Sequence, residues 1–232
     1  MIYITGDTHI PVDIRKLNTD NFPEQKNLTK DDFVIILGDF GLLWSNDWDN
    51  KELYWKKWLE DKPFTTLFID GNHENFDRLN AYKVETWHGG KVHKISDSII
   101  HLMRGQVFTI DNRKVFTFGG AYSHDRGLAT LSADIDRGVC WWDEEMPTLQ
   151  EMKEGRKNLA VNGNQVDYIL THDIPTRAYM RLYSHPTYLN CLNDYLSEIQ
   201  MNTKFKKWFA GHHHINKKID NIQILYNSIE KL

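Results

Sequence analysis

The sequence predicts an α/β protein organised as a two-sheet layered sandwich, αββα, with its functional groups at strand C-termini. Three observations carry this expectation. Short runs rich in Ile, Val, Phe and Tyr end repeatedly in polar, glycine-containing turns, the pattern of buried strands. Segments with helical spacing lie between those runs. A block of short strands with hairpin spacing then interrupts the alternation, and that combination is accommodated by two sheets with helices outside.

Taken in order, Ile2 to Thr5 leads into Gly6-Asp7-Thr8-His9, and Phe33 to Leu37 leads into Gly38-Asp39. Asp47 to Asp61 carries Trp48, Trp55, Trp58 and Leu59 near helical spacing, with Lys51, Glu52, Lys56, Lys57 and Glu60 among them and Pro63 closing the segment. Those three tryptophans are expected in the core. Phe64 to Ile69 leads into Asp70-Gly71-Asn72-His73-Glu74. Ser98 to Met103, Gln106 to Ile110 and Lys114 to Phe118 read as short strands, the last two joined through Asp111-Asn112-Arg113. Thr148 to Leu159 and Tyr188 to Met201 read as helices. Val166 to Leu170 leads into Thr171-His172-Asp173, and Phe205 to Ala210 into Gly211-His212-His213-His214. Five strands thus deliver metal-seeking side chains from their C-terminal ends, where open α/β sheets place their sites.

A chain of 232 residues suits one compact domain over 1–232. The 28 Lys and Arg against 32 Asp and Glu leave a net charge of −4, which argues against a protein that coats nucleic acid. Hydrophobic residues at 41% with only 6 Pro and 14 Gly give a globular and not a disordered composition. Cys140 and Cys191 form no CxxC, which excludes a disulfide framework and a thiolate zinc site and fits a reducing setting. No run is long and apolar enough to span a membrane, and the start at Met1-Ile2-Tyr3-Ile4-Thr5 leaves no room for a secretory leader, so a soluble, cytoplasmic protein is expected. The unusual count is histidine, at 11.

The turns together offer Asp7, His9, Asp39, Asn72, His73, His172, His212 and His214. Carboxylate, imidazole and amide oxygen suit Mn, Fe, Zn, Co or Ni better than soft thiophilic ions. One ion with an open position uses about three or four protein ligands. The set excluding His73 is therefore long enough for two, spaced about 3.5–4 Å apart. Two adjacent dications need an anion between them, and Asp39, alone on its strand, is the natural bridge.

Gly6-Asp7-Thr8-His9, Gly38-Asp39, Gly71-Asn72-His73-Glu74, the later His172 and Gly211-His212-His213-His214 resemble the five ordered motifs of the calcineurin-like metallophosphoesterase family. The resemblance runs from Asp7 to His214, nearly the whole chain. It implies that Asp7, His9, Asp39 and His214 hold one metal and Asp39, Asn72, His172 and His212 the other, with manganese the ion expected to support turnover in vitro. His73 would lie outside the metal ligands, as general acid or as a stabiliser of the transferred phosphoryl group. Hydroxide held between two metals would supply an in-line nucleophile near neutral pH, while a charged imidazole could protonate the leaving alkoxide. Glu74 or Asp70 is expected to orient the His73 ring. His213, between two ligands in an extended segment, is expected to face away as a bystander. His88, His93, His101, His124 and His185 carry no comparable pattern.

One motif departs from the family. Many relatives continue the second motif as Gly-Asp-x-x-Asp-Arg, whereas here Gly38-Asp39-Phe40-Gly41-Leu42-Leu43-Trp44 places leucines at those two positions, which disfavours a standard serine/threonine protein phosphatase. Arg78, Arg126 and His124 are the candidate substrate contacts in its place, with an ordinary salt bridge the competing role for either arginine. Trp44 and the pair Trp141-Trp142 could form a stacking floor for a base, though core filling and edge covering is the expected role.

The expected function is metal-dependent hydrolysis of a phosphomonoester or phosphodiester. Its substrate would be a phosphorylated small molecule, nucleotide or short oligonucleotide, since nothing marks a footprint for duplex nucleic acid. The alternative from another class is a catalytically silent, metal-bound scaffold that recruits a partner protein. That alternative expects an eroded ligand or catalytic imidazole, and none is eroded.

Overall fold

A computed structural model of the chain describes residues 1–123, 125, 138–185 and 188–232. The strands are β1 (Ile2–Thr5), β2 (Phe33–Leu37), β3 (Thr65–Ile69), β4 (Val84–Trp87), β5 (Gly90–Ser96), β6 (Ile99–Leu102), β7 (Gln106–Ile110), β8 (Arg113–Phe118), β9 (Tyr168–Thr171), β10 (Lys207–Ala210), β11 (Lys217–Ile219), β12 (Ile222–Ile224) and β13 (Ile229–Lys231). The described helices are α1 (Asn50–Glu60), α2 (Phe76–Asn80), α3 (Leu149–Val161), α4 (Thr176–Leu182) and α5 (Cys191–Asn202). The strands form two sheets, ordered β13-β1-β2-β3-β6-β5-β4 and β11-β12-β10-β9-β8-β7.

Each sheet has a parallel centre and antiparallel edges. Strands β1, β2, β3 and β6 run parallel in the first sheet, and β8, β9, β10 and β12 in the second. Because side chains alternate across a strand, both faces of these central strands must be apolar. Ile2, Ile4, Ile35, Leu37, Leu67 and Ile69 point between the sheets, meeting Phe108, Ile110, Val115, Leu170 and Phe209 from the other side. Tyr3, Val34, Ile36 and Phe68 point outward, under Leu42, Leu43, Leu59, Phe64 and Leu79. The outward face of the second sheet, with Phe116, Phe118, Ile169 and Trp208, is covered by Met152, Leu159, Ala178, Leu192, Leu196 and Ile199 of three helices. The result is the helix, sheet, sheet, helix layering the sequence predicts. Truncating one buried aromatic of the middle layer costs about 3–5 kcal/mol, so this layer fixes the relation of the sheets and of the loops they carry.

Helix boundaries follow their caps. The Asp49 carboxylate accepts from Lys51 N and Glu52 N at 2.8 Å each, which starts α1 later than its apolar spacing suggests. Thr148 caps α3 with Glu151 reaching back to the Thr148 N–H at 2.7 Å. Asn190 caps α5 through Leu192 N at 2.9 Å. Trp48, Trp55 and Trp58 are only partly buried, packing on the rim of the core and not within it.

The central block divides between the sheets. Strand β6 joins β3 in the first sheet, while β7 and β8 pair across Asp111 and Asn112, whose φ values of 51° and 59° make the tight hairpin turn. Two further edge strands, β4 and β5, pair antiparallel beside β6. Leu42 and Leu43, which follow Asp39 by three and four residues, are buried in the core and present no polar group to a substrate. No helix among the described residues is long and apolar enough to cross a membrane.

Candidate metal centre

The carboxyl ends of both sheets converge on one site. Asp7 lies two residues beyond β1, Asp39 two beyond β2, Asn72 three beyond β3, His172 one beyond β9 and His212 two beyond β10. Close approach demands glycine at the crossings: a Cβ on Gly38, whose φ is +93°, would collide with the His172 imidazole, and one on Gly71 with the Asp39 carboxylate. Four of the polar residues themselves occupy the left-handed region, His9 at φ 34°, Asp39 at 46°, His212 at 65° and His214 at 49°. Such conformations cost about 1–3 kcal/mol each and persist where surrounding contacts enforce them.

Asp39 stands at the centre. Its Oδ1 accepts the backbone N–H groups of Asn72 (2.9 Å) and His73 (2.7 Å). The same oxygen faces His172 Nε2 at 3.3 Å, while Oδ2 faces His9 Nε2 at 3.3 Å. One carboxylate therefore addresses two separate imidazoles with different oxygens. His172 donates from Nδ1 to the Leu37 carbonyl at 2.6 Å, which turns Nε2 toward Asp39 and toward the Asn72 Oδ1 at 3.3 Å. His9 Nδ1 meets Asp13 Oδ2 at 2.9 Å, which turns its Nε2 inward in the same way.

Among the described residues, besides Asp173 with His212 and His213, two donor groups able to hold an ion meet at the centre, Asp7 with His9, Asp39 and His214, and Asp39 with His172 and His212, each with its donor atoms within 4.8 Å of one another. Asp39 belongs to both. The fit to cations is tested by Asp7: fully buried, its Oδ2 has no hydrogen-bond partner, though His214 Nε2 stands 3.1 Å away. A buried carboxylate oxygen left unpaired costs free energy unless a cation or donor satisfies it. The donor set fits transition-metal ions, and the side chain of Asn72 joins the second group through its amide oxygen.

Electrostatics point the same way. Burial opposes charge on Asp39, yet the His172 and His9 imidazoles hold its carboxyl well below the usual range. Burial also opposes charge on His9, but the hydrogen bond and charge of Asp39, with Asp7 and Asp13, raise it to about 9. For His172 the Asp39 charge overcomes complete burial and raises the ring to about 10. His212 goes the other way, pushed to about 3 by burial, with the neighbouring His172 and His213 adding to the shift. Without metal, His9 and His172 thus hold protons that neutralise the carboxylates, while His212 is already free to ligate.

An imidazole raised from 6.5 to about 9 or 10 adds stability that is full below pH 6.5 and is lost as pH rises through those values. The metal-free protein is therefore expected to lose thermal stability between pH 6.5 and about 10. Metal uptake at pH 7.5 should release about two protons per chain, because only neutral imidazole ligates. Calorimetric titration of metal into stripped protein, in buffers of different ionisation enthalpy, measures that count; zero release would contradict the assignment.

His73 is half-buried beside this centre, its ring 5.8 Å from that of His9 and 5.8 Å from that of Trp44. Neither acidic neighbour orients it. Glu74 instead accepts from Phe40 N at 2.7 Å and lies 3.4 Å from Gly41 N, pinning the Asp39 loop to the Asn72 loop. Complete burial pushes this carboxyl up to about 8, with the charges of Asp39 and Asp70 adding to the shift against the Phe40 bond. Asp70 binds Arg104 at 2.5 Å and His101 at 3.1 Å, on the far side of its loop. Both acids brace the backbone that carries His73 and leave its ring to its neighbours.

A cavity of about 450 Å³ opens over the site, lined by Asp39, Asn72, His73, His212, His213 and His214, and farther out by Ser123, Asp125, Tyr179, Tyr183, His185 and Tyr188. Its size suits a small ligand. A cleft of about 470 Å³ at the opposite strand ends, bordered by Lys114, Asp167 and Lys206, has no comparable donor set, so chemistry and not volume selects between them.

Arg78 does not line the cavity: its Nη1 binds both Glu52 oxygens at 2.9 and 2.8 Å and the Ser45 carbonyl at 2.8 Å, the structural salt bridge. Arg126 and His124 lie outside the described residues. The bystander expectation for His213 is corrected. With His212 and His214 in left-handed conformations the segment is a turn, period-two alternation does not apply, and His213 enters the cavity wall with Nδ1 3.0 Å from the Tyr183 hydroxyl. Trp142 is wholly buried with Nε1 donating to Asp77 at 3.0 Å, as core filling predicts. Trp44 packs edge-on against it at 5.6 Å and keeps 37% of its surface exposed beside His73. Sequence reasoning missed Tyr179, Tyr183, Tyr188, His185 and Asp13; only Asp13, four residues after His9, had a local signal.

Two sheets with helices outside and paired Asp/His donor groups at their shared carboxyl end define the class: an α/β protein built to hold metal ions under an open pocket. More particularly, the calcineurin-like phosphoesterase family model matches residues 1–216, and the chain belongs to that family. Membership brings metal-dependent phosphoester hydrolysis as its general chemistry, with two metal ions as the usual complement. No curated protein matches the chain.

Proposed function

We propose that the protein is a dinuclear metal-dependent phosphoesterase, hydrolysing a phosphomonoester or phosphodiester of small-molecule, nucleotide or short-oligonucleotide size. One observation carries the reading: Asp39 turns its two oxygens toward two different donor groups, the arrangement a bridging carboxylate requires. In this reading Asp7, His9, Asp39 and His214 hold one ion, and Asp39, Asn72, His172 and His212 the other. Such ions neutralise phosphoryl charge and activate water. Manganese, iron, zinc, cobalt and nickel all suit these donors, with manganese the first to try in vitro.

The chain's own residues do the rest. The loops braced by Glu74 and Asp70 hold the ligands before substrate arrives, a preorganisation that costs nothing at the moment of reaction. His73, on the cavity wall and outside both donor groups, is placed to give a proton to the departing oxygen or to bind the phosphoryl group. Trp44 beside it offers an apolar edge to whatever the phosphoryl group leaves behind. Tyr179, Tyr183 and Tyr188 form the outer wall and limit substrate size. Cys140 and Cys191 are both free, which supports a reducing cytoplasm as the working compartment.

The test couples metal content to turnover. Protein loaded with Mn²⁺ is expected to contain about two ions per chain and to hydrolyse a chromogenic monoester or the corresponding bis-ester, whichever the pocket accepts. Two bound ions with no hydrolysis across a broad phosphoester panel would instead support the silent scaffold.

A further inference from the structure

Beyond the region matched by the family model, the chain returns to the metal centre. Tyr226 lies after residue 216, yet its ring stacks on the His214 imidazole, with centroids 4.8 Å apart and planes 19° from parallel. Its hydroxyl donates to Asp13 Oδ1 at 3.1 Å. The other oxygen of Asp13 meets His9 Nδ1 at 2.9 Å, and His9 Nε2 in turn faces Asp39. One tyrosine thus touches His214 directly and reaches His9 through one carboxylate.

The tyrosine is itself held from behind. Buried Lys16 donates to the Tyr226 carbonyl at 2.5 Å and to the Asp7 carbonyl at 2.6 Å, joining this segment to the loop that carries Asp7 and His9. Asn216 Oδ1 accepts from Tyr226 N at 2.8 Å, and Thr5 donates to the Ser228 carbonyl at 3.0 Å. The segment cannot swing away without breaking several hydrogen bonds. His214 has the greatest need of such support, since its side chain is 51% exposed, against 20% for His9 and none for His172.

We propose that Tyr226 and Asp13 are positioning residues that orient His9 and His214 for the ion of the Asp7 group, supplied in part by a segment outside the shared family region. The inference rests on the metal-centre reading above. A histidine whose outer nitrogen is fixed by a carboxylate presents the other nitrogen in one direction and as a better base, and losing such a partner weakens metal binding about 10–100-fold. The stacked ring does for His214 what the carboxylate does for His9, removing rotamers that point away from Asp7.

The test is Mn²⁺ titration of metal-stripped wild type, Asp13→Ala, Tyr226→Phe and Tyr226→Leu, each with a metal-free melting curve. Asp13→Ala should bind one of its two ions about 10–100-fold more weakly and the other normally. Tyr226→Phe, which keeps the ring and loses the hydroxyl, should retain more affinity than Tyr226→Leu. Metal-free melting temperatures should stay close to wild type. Wild-type affinity for both ions in all three variants would overturn the proposal while leaving the metal centre intact. Equal weakening of both ions that tracks a lower metal-free melting temperature would also overturn it, reducing the contacts to general packing. Wild-type protein that takes up no Mn²⁺ would overturn the metal-centre reading and this inference together.

Discussion

Asp39→Asn is expected to lose both metal ions together, with activity falling by more than the about 10–100-fold that follows loss of an outer hydrogen-bond partner. The geometry says how. Oδ1 accepts two backbone N–H groups, from Asn72 and His73, so the amide oxygen of asparagine takes that place and the NH₂ group is left facing His9. A donor then points at the Asp7 group where an acceptor is needed. On the other side a neutral oxygen replaces an anion, and the repulsion between two cations goes uncompensated. The substitution is nearly isosteric, so the loops should keep their course. The protons on His9 and His172 should bind less tightly, because Asp39 is the leading group that raises both. Elemental analysis after gel filtration decides the matter: unchanged metal content would refute the bridge.

Much of this arrangement was legible in the chain because the informative residues sit within short motifs at strand ends. Asp7 with His9, and Asn72 with His73, are separated by one or no intervening residues, and the strands before them are short runs of mainly apolar and β-branched residues, so local pattern reveals both element and site. What escaped depends on distant pairing. Tyr226 and Asp13 are 213 residues apart, and no local spacing links them. The edge strand Val84–Trp87 alternates exposed and half-buried residues, so its strand character comes from pairing with Gly90–Ser96 and not from burial. Period-two alternation fails at His213 because left-handed residues stand on either side of it. Arg78 shows the converse. Its place four residues after Gly71-Asn72-His73-Glu74 allows a phosphate contact but favours a salt bridge, and α1 supplies Glu52 for that bridge.

His73→Ala separates catalysis from metal binding. The His73 backbone N–H, not its ring, holds Asp39 Oδ1, and alanine keeps that N–H. Metal content should therefore remain near wild type while kcat falls about 10²–10⁴-fold, the range for a general acid. The leaving group then distinguishes the two roles open to the ring. An acid is needed when a basic alkoxide departs and hardly at all when an acidic phenolate does, so a general acid predicts a large loss on an alkyl phosphate and a small one on a nitrophenyl ester. A ring that instead stabilises the phosphoryl group predicts similar losses on both, since the charge it meets is the same. Full activity of His73→Ala on both esters would remove His73 from the mechanism, while the assignment of the seven metal ligands would stand on its own measurement.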